Sequence, residues 1–505
     1  MTVTVAAQLP GLRVVADPPA AGPDPLRTDV AAFLGGFPRG LVGVAARVTS
    51  WTEAQQAFGP IDGRRRTPYA VSGFFANGGR TAWLIRIAGA GAATARAVWT
   101  VGEVRGRGGF RHAAYVIEAT SPGEWANQTR VTIRFRASSV AGPPSLTVRV
   151  AAPGEPVETF AEVRPGALTD RLASSRLIRV TPLGEELPAS EEGPLTAFWT
   201  VVLGATGETR GADPVPGPAD YRAAFQIQAD EPEPALLALP ELGADLPDPA
   251  DRAGLVRDLL TVIAPMRDRL VVLDTLTEDP AADAVLASIE EIAADGELLR
   301  AAALYHPAVR VPDPPRPLAT VPACGHVLGL IARLDTERGP HQTPANAALL
   351  EVADLAVDYP VEQQARMFAA GVNLLRALPG RGPLVWGGRT LDNRFVAHRR
   401  LVHLLVRAIR RVADPLVFEV NGPELRFTLV RGITSVLLAA FRSGALAGER
   451  PEEAFSVTCD ERNNPPGSDP ATVVCDIDVT PADPMEFITL RLVLGQDRAL
   501  EVVEQ

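Results

Sequence analysis

Y-A-V-S-G-F-F-A-N-G-G-R-T-A-W-L-I-R-I, residues Tyr69–Ile87, is the stretch on which the prediction of the fold rests. Tyr69–Asn77 is predicted to be a helix that stops at Gly78-Gly79, because glycine commonly follows the last helical turn. Ala82–Ile87 is an apolar run with the length of a buried strand. A helix followed directly by such a strand is typical of an α/β fold.

The residues before this stretch continue the same alternation. Val30–Leu34 and Val44–Val48 are predicted strands, and a helix follows with Ser50 or Thr52 as its N-cap and Glu53 in its first turn. The first 28 residues differ, since they carry five prolines and two glycines and only one short apolar alternation, at residues 12–15. Such a segment buries too little surface to fold alone, so it is predicted to be an arm.

Residues from about 93 to 230 have a different pattern, in which short alternating runs are separated by Gly, Pro and Ser clusters. The runs are Ala113–Glu118, Val131–Phe135, Leu146–Val150 and Phe198–Leu203. They predict a mostly antiparallel β insertion.

After Pro240 the α/β alternation resumes. Helices are predicted at Ala250–Met266, Ala281–Ala294, Ala345–Ala353, Val361–Ala370, Phe395–Val412 and Glu424–Ser443, and strands at Leu270–Leu273, Ala301–Tyr305, Ser456–Cys459, Val473–Val479 and Phe487–Leu494.

The predicted organisation is therefore an α/β (α+β) core built from the N- and C-terminal parts of the chain, with a mostly β inserted outer domain and extended arms at both ends. The expected boundaries are an N-terminal arm at 1–28, the first part of the core at 29–92, the insertion at 93–230, a central α/β domain at 231–370, a C-terminal core domain at 371–494 and a C-terminal arm at 495–505.

Composition narrows the possible functions. The 505 residues are 46% hydrophobic and 22% charged, which is typical of a folded chain, and no apolar run approaches the length of about 18 residues that spans a bilayer. A net charge of −11 argues against a dedicated nucleic-acid binder.

All 49 basic residues are arginine. The absence of lysine excludes a P-loop nucleotide site and a Schiff-base enzyme, because both need its amine. The three cysteines, Cys324, Cys459 and Cys475, are expected to be free thiols in a reducing compartment.

Two short motifs have both a chemical and a structural interpretation. Gly89-Ala90-Gly91 follows a strand and loosely resembles a dinucleotide-binding loop, but Thr94 stands at the third glycine position and the residues after it are predicted to be β. A flexible exit from the first α/β unit is the favoured interpretation.

Cys324-Gly325-His326 brings a thiol and an imidazole together, but no second ligand pair lies at zinc spacing. A buried thiol in a Gly-containing strand or loop is favoured there.

The densest charge cluster lies on the predicted helix at 395–412. Its members are Arg399, Arg400, Arg407, Arg410 and Arg411. Apolar residues such as Leu401, Leu405 and Ala408 form another face of the same helix. The arginines are consistent either with a solvated helix face or with contact to an acidic partner surface.

Several separated blocks of the sequence resemble the contractile tail sheath proteins of phages and of phage-tail-like injection systems. The blocks are Val48–Gly59, Tyr69–Ile87, Ser121–Asn127 (S-P-G-E-W-A-N), Val321–Asn346, Gly371–Leu391 (G-V-N-L-L-R-A-L-P-G-R-G-P-L-V-W-G-G-R-T-L), Leu416–Asn421, Ser443–Pro466 and Pro484–Leu492. They follow the family order over most of the chain. The N-terminus departs from the family pattern, because Pro10–Asp17 keeps the apolar alternation but has one acidic residue instead of two.

The resemblance implies a structural subunit that polymerises helically around an inner tube and contracts, with no enzymatic activity, cofactor or metal. Arm residues expected at subunit interfaces are Leu12, Val14, Val15, Leu500, Val502 and Val503, and a contact with the tube is expected for Arg400, Arg407 and Arg411. The implied partners are further copies of the chain, the inner tube protein, and baseplate and terminal cap proteins, with assembly in the bacterial cytoplasm. A non-contracting tail or baseplate protein and a nucleotide-binding α/β enzyme are the alternatives. The sequence leaves open whether the particle is a phage tail or an injection system.

Overall fold

The computed structural model describes residues 26–106, 109–136, 143–183, 196–277, 279–292, 295–314, 316–467, 469, 472–482, 488–494 and 500–504. The first part of the α/β core has the predicted order of elements. They are β1 (Ala31–Gly35), β2 (Ala45–Val48), α1 (Trp51–Phe58), α2 (Thr67–Ala76) and β3 (Ala82–Arg86). The predicted N-cap of α1 is confirmed, since Ser50 Oγ accepts a hydrogen bond from the backbone N–H of Glu53 at 3.2 Å.

The inserted domain is a two-sheet β structure. Its elements are β4 (Arg96–Gly106), β5 (Gly109–Ala119), β6 (Arg130–Arg136), β7 (Ser145–Ala151), β8 (Glu158–Val163), α3 (Leu168–Leu172), β9 (Ile178–Pro182) and β10 (Thr196–Val202). The strand orders are β4-β5-β9 and β10-β6-β7-β8, and every pair is antiparallel. Both sheets contribute to one apolar cluster, in which the Trp99 ring stacks on Tyr115 and meets Trp199 edge-on. The prediction of a mostly β insertion is confirmed.

The second part of the core returns to alternating helices and strands. Its elements are α4 (Pro218–Asp230), β11 (Leu236–Ala238), α5 (Leu242–Asp245), α6 (Pro249–Ile263), β12 (Leu270–Asp274), α7 (Ala282–Glu290), α8 (Gly296–Leu299), β13 (Ala302–His306), β14 (Val309–Asp313), β15 (Arg316–Val321), α9 (Cys324–Arg338), β16 (Ala347–Ala348), β17 (Asp354–Leu355), α10 (Val361–Ala369), β18 (Val372–Leu378) and β19 (Gly382–Val385).

Nine strands from both parts of the core form one sheet, in the order β16-β19-β18-β13-β12-β11-β1-β3-β2. The six strands from β18 to β3 run parallel, and the edge strands are antiparallel. Helices cover both faces, which explains why β1 is buried throughout. Phe33 packs into the apolar layer on one face, and Leu34 packs into the layer on the other. The residues before and after the insertion thus belong to one sheet.

The C-terminal domain contains α11 (Val396–Ala413), α12 (Pro423–Arg442), α13 (Pro451–Ala454), β20 (Phe455–Thr458), β21 (Val473–Val479), β22 (Ile488–Leu494) and β23 (Leu500–Glu504). Its strands form an antiparallel sheet in chain order, from β20 to β23. The apolar faces of α11 and α12 pack with β21 in a separate cluster that includes Leu405, Leu429 and Ile477.

Two predicted domain boundaries differ from the structure. The limit at 230 assigns α4 to the insertion, whereas its buried residues Tyr221 and Phe225 pack in the core beside α6. The limit at 370 assigns β18 and β19 to the C-terminal domain, whereas both strands belong to the nine-stranded sheet. In both cases the apolar surface of the element is covered by the core.

Two predictions of local structure were wrong. A helix was expected at 345–353, but β16 pairs with β19 there, and Asn346 and Glu351 have the positive φ angles of 61° and 56° that interrupt a helix. Cys324-Gly325-His326 was expected in a strand or loop but begins α9. The glycines Gly325 and Gly329 let α9 approach α2, since a Cβ on either would lie within 2.3 Å of a backbone oxygen of α2.

Candidate assembly interface

One face of α11 carries Arg400, Arg407 and Arg410 and joins the C-terminal domain to the core; it is called the arginine face. Arg400, with 3% of its side chain exposed, forms an ion pair with Asp335 of α9, which is 5% exposed. Its Nη1 donates to Asp335 Oδ1 at 2.9 Å, and its Nη2 donates to the carbonyl of Thr28 at 2.7 Å. One guanidinium therefore links three segments that are far apart in sequence.

Arg407 and Arg410 extend this attachment along the helix, about two and almost three turns after Arg400. Arg407 donates to the carbonyls of Arg27, Glu233, Pro234 and Asp268, and burial lowers its pKa to about 10. Arg410 forms an ion pair with Asp268 at 2.9 Å. The planar guanidinium suits this task because it holds five N–H donors in fixed directions.

These contacts correct the expectation of a solvated helix face. Arg400 and Arg407 use their donors within the chain, and Arg411 is half-buried and also has an interaction there. A tube surface that contacts Arg400 or Arg407 has to displace these bonds, so the expected tube contact of these residues stays a prediction. Asp268 and Asp335 were missed in the sequence. One feature of the sequence could have indicated a buried face. Arg400 and Arg407 are two helical turns apart and are flanked by apolar residues.

The same cluster binds the chain where the predicted N-terminal arm meets the core. Arg27 donates hydrogen bonds to the Asp29 carboxylate through Nε and Nη2, and to the Thr81 hydroxyl through Nη1. Thr28 donates through Oγ1 to Asp335 at 2.9 Å while its carbonyl accepts from Arg400. The arm residues Leu12, Val14 and Val15 lie outside the described residues. Residues 27 and 28 are thus bound at the junction of core and C-terminal domain.

The expected C-terminal interface residues lie on an edge strand. Leu500, Val502 and Val503 belong to β23, which pairs with β22 of the same chain in the register Leu494↔Leu500 and Leu492↔Val502. Within the described residues the other side of β23 has no strand partner. An edge strand presents a row of backbone N–H and C=O groups on which another chain can form a further strand. A role of these residues between subunits stays a prediction.

The inserted domain joins the core through two segments that lie side by side. Gly89 donates its N–H to the carbonyl of Pro214 at 2.9 Å, and Ala93 pairs with Ala212. Arg86, fully buried, donates to the carbonyls of Gly40 in the core and Pro122 in the insertion. It also forms an ion pair with Asp213 at 3.1 Å, and Arg65 reaches the same carboxylate at 2.8 Å.

A carboxylate of the chain fills the position where doubly wound sheets commonly bind anions. The parallel strands run in the spatial order β3-β1-β11-β12, so the strand order reverses between β1 and β11. At this point Glu241 accepts hydrogen bonds from the N–H groups of Arg66 and Thr67 at the start of α2. Burial, followed by the nearby charge of Asp245, raises the pKa of Glu241 to about 7.

The remaining motifs do not form a chemical site. The Gly89 loop is followed by β4 rather than by a helix, so it lacks the helix N-terminus on which a dinucleotide phosphate rests. The thiol of Cys324 is buried, and its backbone N–H donates to Asp274 at 3.0 Å. Across the described parts of the chain, no three His, Cys, Asp or Glu side chains are grouped as they are around a metal ion. The same parts contain no helix with the length and apolarity that crossing a bilayer requires.

Three solved structures share this fold along almost the whole chain. The sheath tail protein of Desulfitobacterium hafniense superimposes with a TM-score of 0.63 at 14% identity, covering 95% of this chain and 100% of that one. The sheath tail protein of Listeria innocua gives a TM-score of 0.64 at 11% identity and covers 93% and 95%. The helical sheath of the anti-feeding prophage in its contracted state gives 0.55 at 19% identity and covers 96% and 98%.

Sequence comparison identifies the domains that surround the arginine face. A search among curated proteins found no significant match. Residues 267–391, which run from the end of α6 to the end of the nine-stranded sheet, match the family model of the phage tail sheath protein central domain. Residues 391–495, which include α11 and the C-terminal sheet, match that of the phage tail sheath C-terminal domain. Residues 267–495 therefore contain the central and C-terminal domains of the phage tail sheath proteins.

Proposed function

We propose that this chain is the sheath subunit of a contractile tail or injection particle. It polymerises helically around an inner tube, and contraction of the sheath drives the tube through a target envelope. The observation that carries the proposal is the pair of sheath domains at 267–391 and 391–495. The likeness of the fold to a helical sheath in the contracted state is consistent with it.

The proposed assembly uses the two ends of the chain. An open helical lattice needs an interface between different surfaces of neighbouring subunits, so that the contact does not close on itself. The edge strand β23 offers backbone groups for a further strand. An arm of 28 residues reaches at most about 90 Å when extended, which is ample to cross to a neighbouring core. Each main-chain hydrogen bond contributes only about 1 kcal/mol net, but the contact repeats at every subunit of the lattice.

Contraction in this proposal is a change between two packings of one rigid core, with the extended packing kinetically trapped. New contacts between cores supply the free energy, and the chain binds no nucleotide. Glu241 at the switch point of the sheet supports this part, because its carboxylate occupies the place of an anionic ligand. The inner tube, the baseplate and a terminal cap are the proposed partners, and assembly takes place in the bacterial cytoplasm.

The test is assembly of the purified chain, followed by negative-stain microscopy. Expressed alone, the protein should form hollow cylinders in the contracted packing, because no tube is present to template the extended one. Co-expression with the tube and baseplate genes should add a longer, narrower form. Light scattering that finds only monomers at high concentration contradicts the proposal. A single form under both conditions favours a non-contracting tail or baseplate protein.

The arms can be tested separately. Deletion of residues 1–20, or of the residues after Gly495, should leave a soluble, folded core that does not assemble. A finer test is Val14→Pro, which removes an N–H from the predicted arm strand. Ala20→Pro is its matched control, since it lies in a Pro-rich part of the same arm. Normal cylinders from Val14→Pro, or from either deletion, contradict strand addition by that arm.

A further inference from the structure

Two cysteines of the C-terminal domain lie opposite each other on neighbouring strands. Thr458, the last residue of β20, pairs with Asp476 of β21 in the antiparallel ladder. The register therefore places the next residue, Cys459, opposite Cys475. Residues that are directly opposite in such a ladder have Cβ atoms about 4.5–5.5 Å apart. This spacing is close to the separation of about 3.8 Å that a disulfide spans.

The two thiols are neighbours, and the chain on both sides of them is held in place. The nearby Cys475 thiol lowers the pKa of Cys459, and the nearby Cys459 thiol raises the pKa of Cys475. Asn464 clamps the intervening loop onto β21, since its amide donates to the carbonyl of Val474 at 2.7 Å and accepts from the N–H of Val474 at 2.8 Å. Asn463 donates to the carbonyl of Thr458. Backbone movement that would separate the sulfurs has to break these bonds.

Their unequal burial gives the thiols different roles. Cys475 is fully buried and Cys459 is 8% exposed. The pKa of Cys459 is lowered mainly by the Cys475 thiol; the charge of Arg426 also favours the thiolate, and those of Asp460 and Asp476 oppose it. Since the thiolate is the attacking species in thiol–disulfide exchange, Cys459 is suited to react with an external oxidant, and Cys475 is suited to complete the reaction.

We propose that Cys459 and Cys475 are an oxidisable dithiol, which closes to a disulfide when the sheath subunit meets a disulfide-type oxidant. The Cys459 thiolate attacks one sulfur of a low-molecular-weight disulfide and releases one thiolate. The Cys475 thiolate then attacks the Cys459 sulfur of the mixed disulfide and releases the second thiolate. One protein dithiol and one small disulfide thus become one protein disulfide and two small thiols, with the two protons passing to the released thiolates.

The bond covalently joins β20 to β21, in the sheet whose opposite edge is β23. A chain that folds with free thiols in a reducing compartment acquires a cross-link once the particle is exposed to oxidising surroundings. The inference does not depend on helical assembly or contraction, because it concerns the chemistry of a single domain. The cross-link shortens the free loop in the unfolded chain and should raise the temperature of unfolding.

The test uses the full-length protein, incubated natively with excess glutathione disulfide, acid-quenched, denatured and titrated for free thiols. The wild type should fall from three thiols to one, with a mass loss of two hydrogens and a tryptic peptide pair linking Cys459 to Cys475. Cys324→Ser is the matched control and should fall from two thiols to none. Cys459→Ser should keep both remaining thiols, and Cys475→Ser should gain a glutathione adduct on Cys459.

Three results would overturn the proposal: three free thiols in the oxidised wild type, a stable glutathione adduct in place of the loss of two hydrogens, or a cross-link that includes Cys324. Thermal unfolding of the oxidised and the reduced wild type gives a second readout that needs no variant. The oxidised form should unfold at a temperature several degrees higher, and a reducing agent should abolish the difference. Equal unfolding temperatures with the cross-link present contradict the stabilising role.

Discussion

The inserted domain and the C-terminal domain are both attached to the α/β core, but in different ways. The inserted domain meets the core where two chain segments lie side by side, and Arg86 and Arg65 tie that joint through Asp213. The C-terminal domain shares α11 with the core, and the arginines of that helix reach two carboxylates and several carbonyls. The inserted domain is also held by Arg39, which forms an ion pair with Glu155 at 3.1 Å, and by Gly40, whose N–H donates to Ser121 Oγ at 3.0 Å. The C-terminal domain is instead joined along one helix, which also holds residues 27 and 28.

This difference indicates which domain has to move with the core. A buried guanidinium that satisfies several carbonyls at once can hold a rigid geometry, because leaving any of those groups unpaired and dry is costly. The arginine face therefore makes core and C-terminal domain one mechanical unit. The inserted domain meets the core through side chains near its two linking segments and through the Arg39–Glu155 ion pair, so we expect its removal to disturb the assembling unit less than a break in the arginine face.

The largest effect should come from breaking the arginine face at its most buried ion pair. Arg400→Met keeps much of the side-chain volume but leaves Asp335 without its cation, and removing one partner of a buried pair destabilises by about 3–5 kcal/mol. Urea unfolding measures the loss. Proteolysis near residues 26–29 should also become faster, since Thr28 loses its bond to Arg400.

Arg366→Met is the matched control for this change. Arg366 forms an ion pair with Asp283 at 2.7 Å, but the two side chains are 57% and 81% exposed. Exposed pairs contribute about 1 kcal/mol or less, so this variant should unfold close to the wild type. Equal losses in the two variants contradict the distinction between a buried attachment and a surface contact.

The next effect concerns pH and the core itself, on which both domains depend. Burial raises the pKa of Glu241 to about 7 in the folded state, above its ordinary value of 4.5. Between these pH values the folded chain keeps a proton that the unfolded chain releases, so the stabilisation that Glu241 contributes is fully present below about pH 4.5 and is lost as the pH rises through about 7. The fall attributable to Glu241 is at most about 3 kcal/mol. Burial also raises the pKa of Asp245, to about 6, which adds a smaller fall in the same direction.

Glu241→Gln tests this assignment. A glutamine has the same shape and can still accept from the N–H groups of Arg66 and Thr67, but it cannot ionise. The free energy of unfolding of the variant relative to the wild type should therefore rise from pH 5 to 8, and at pH 8 the variant should be the more stable. Glu362→Gln, on the exposed surface of α10, should leave the profile unchanged. A variant profile as steep as the wild type would place the pH dependence elsewhere.

A smaller effect is expected at the joint of the inserted domain. Asp213→Asn removes the negative charge between Arg86 and Arg65 but keeps an oxygen that can accept from both. We therefore expect a cost of about 2 kcal/mol, below that of removing a whole partner of a buried pair. Hydrogen exchange should rise in the joint segments, 88–95 and 203–217, while α11 stays protected. Asp258→Asn, in the exposed pair with Arg222, is the control and should change neither segment. Faster exchange in α11 would show that the two attachments are coupled.

Much of the core could be predicted from local patterns. Ser50, the Gly78-Gly79 stop and the apolar run at 82–87 each carry a local signal, and all three elements are confirmed. The helix expected at 345–353 was wrong because its alanines and leucines favour helix locally, whereas pairing with β19 decides the structure there. The start of α9 was missed for the opposite reason. Glycine disfavours a helix locally, but Gly325 and Gly329 are needed where α9 meets α2.

The attachments of the two domains could not be predicted in the same way. The spacing of Arg400 and Arg407 on a helix was evident, but their partners lie 65 to 380 residues away in the chain. A helix face that is rich in arginine has the same local pattern whether it meets solvent, a partner or buried carboxylates. Only the tertiary fold distinguishes these cases. Likewise, the position of α4 depends on Tyr221 and Phe225 packing against α6, which no local signal reveals.

The smallest effect on assembly should follow from removing the inserted domain at its structural boundary. The change replaces residues 94–211 with a short Gly/Ser linker and keeps Asp213, so that Arg86 retains its carboxylate. The two ends are adjacent because Ala93 pairs with Ala212, so a short linker suffices and adds little loop entropy. The inserted domain has an apolar cluster of its own, separate from both layers of the core. The shortened chain should therefore fold and polymerise into cylinders with thinner walls, visible by negative-stain microscopy.

A second replacement that extends to residue 230 makes the comparison decisive. It removes α4, whose Tyr221 and Phe225 are fully buried in the core and whose Tyr221 hydroxyl donates to Asp245 at 2.7 Å. Truncating two buried aromatic side chains costs about 3–5 kcal/mol each, so this longer replacement should be insoluble or unfolded. If both replacements assemble, α4 is dispensable and the boundary predicted at 230 is the functional one. If neither assembles, the inserted domain takes part in the lattice and the two domains do not differ as their attachments indicate.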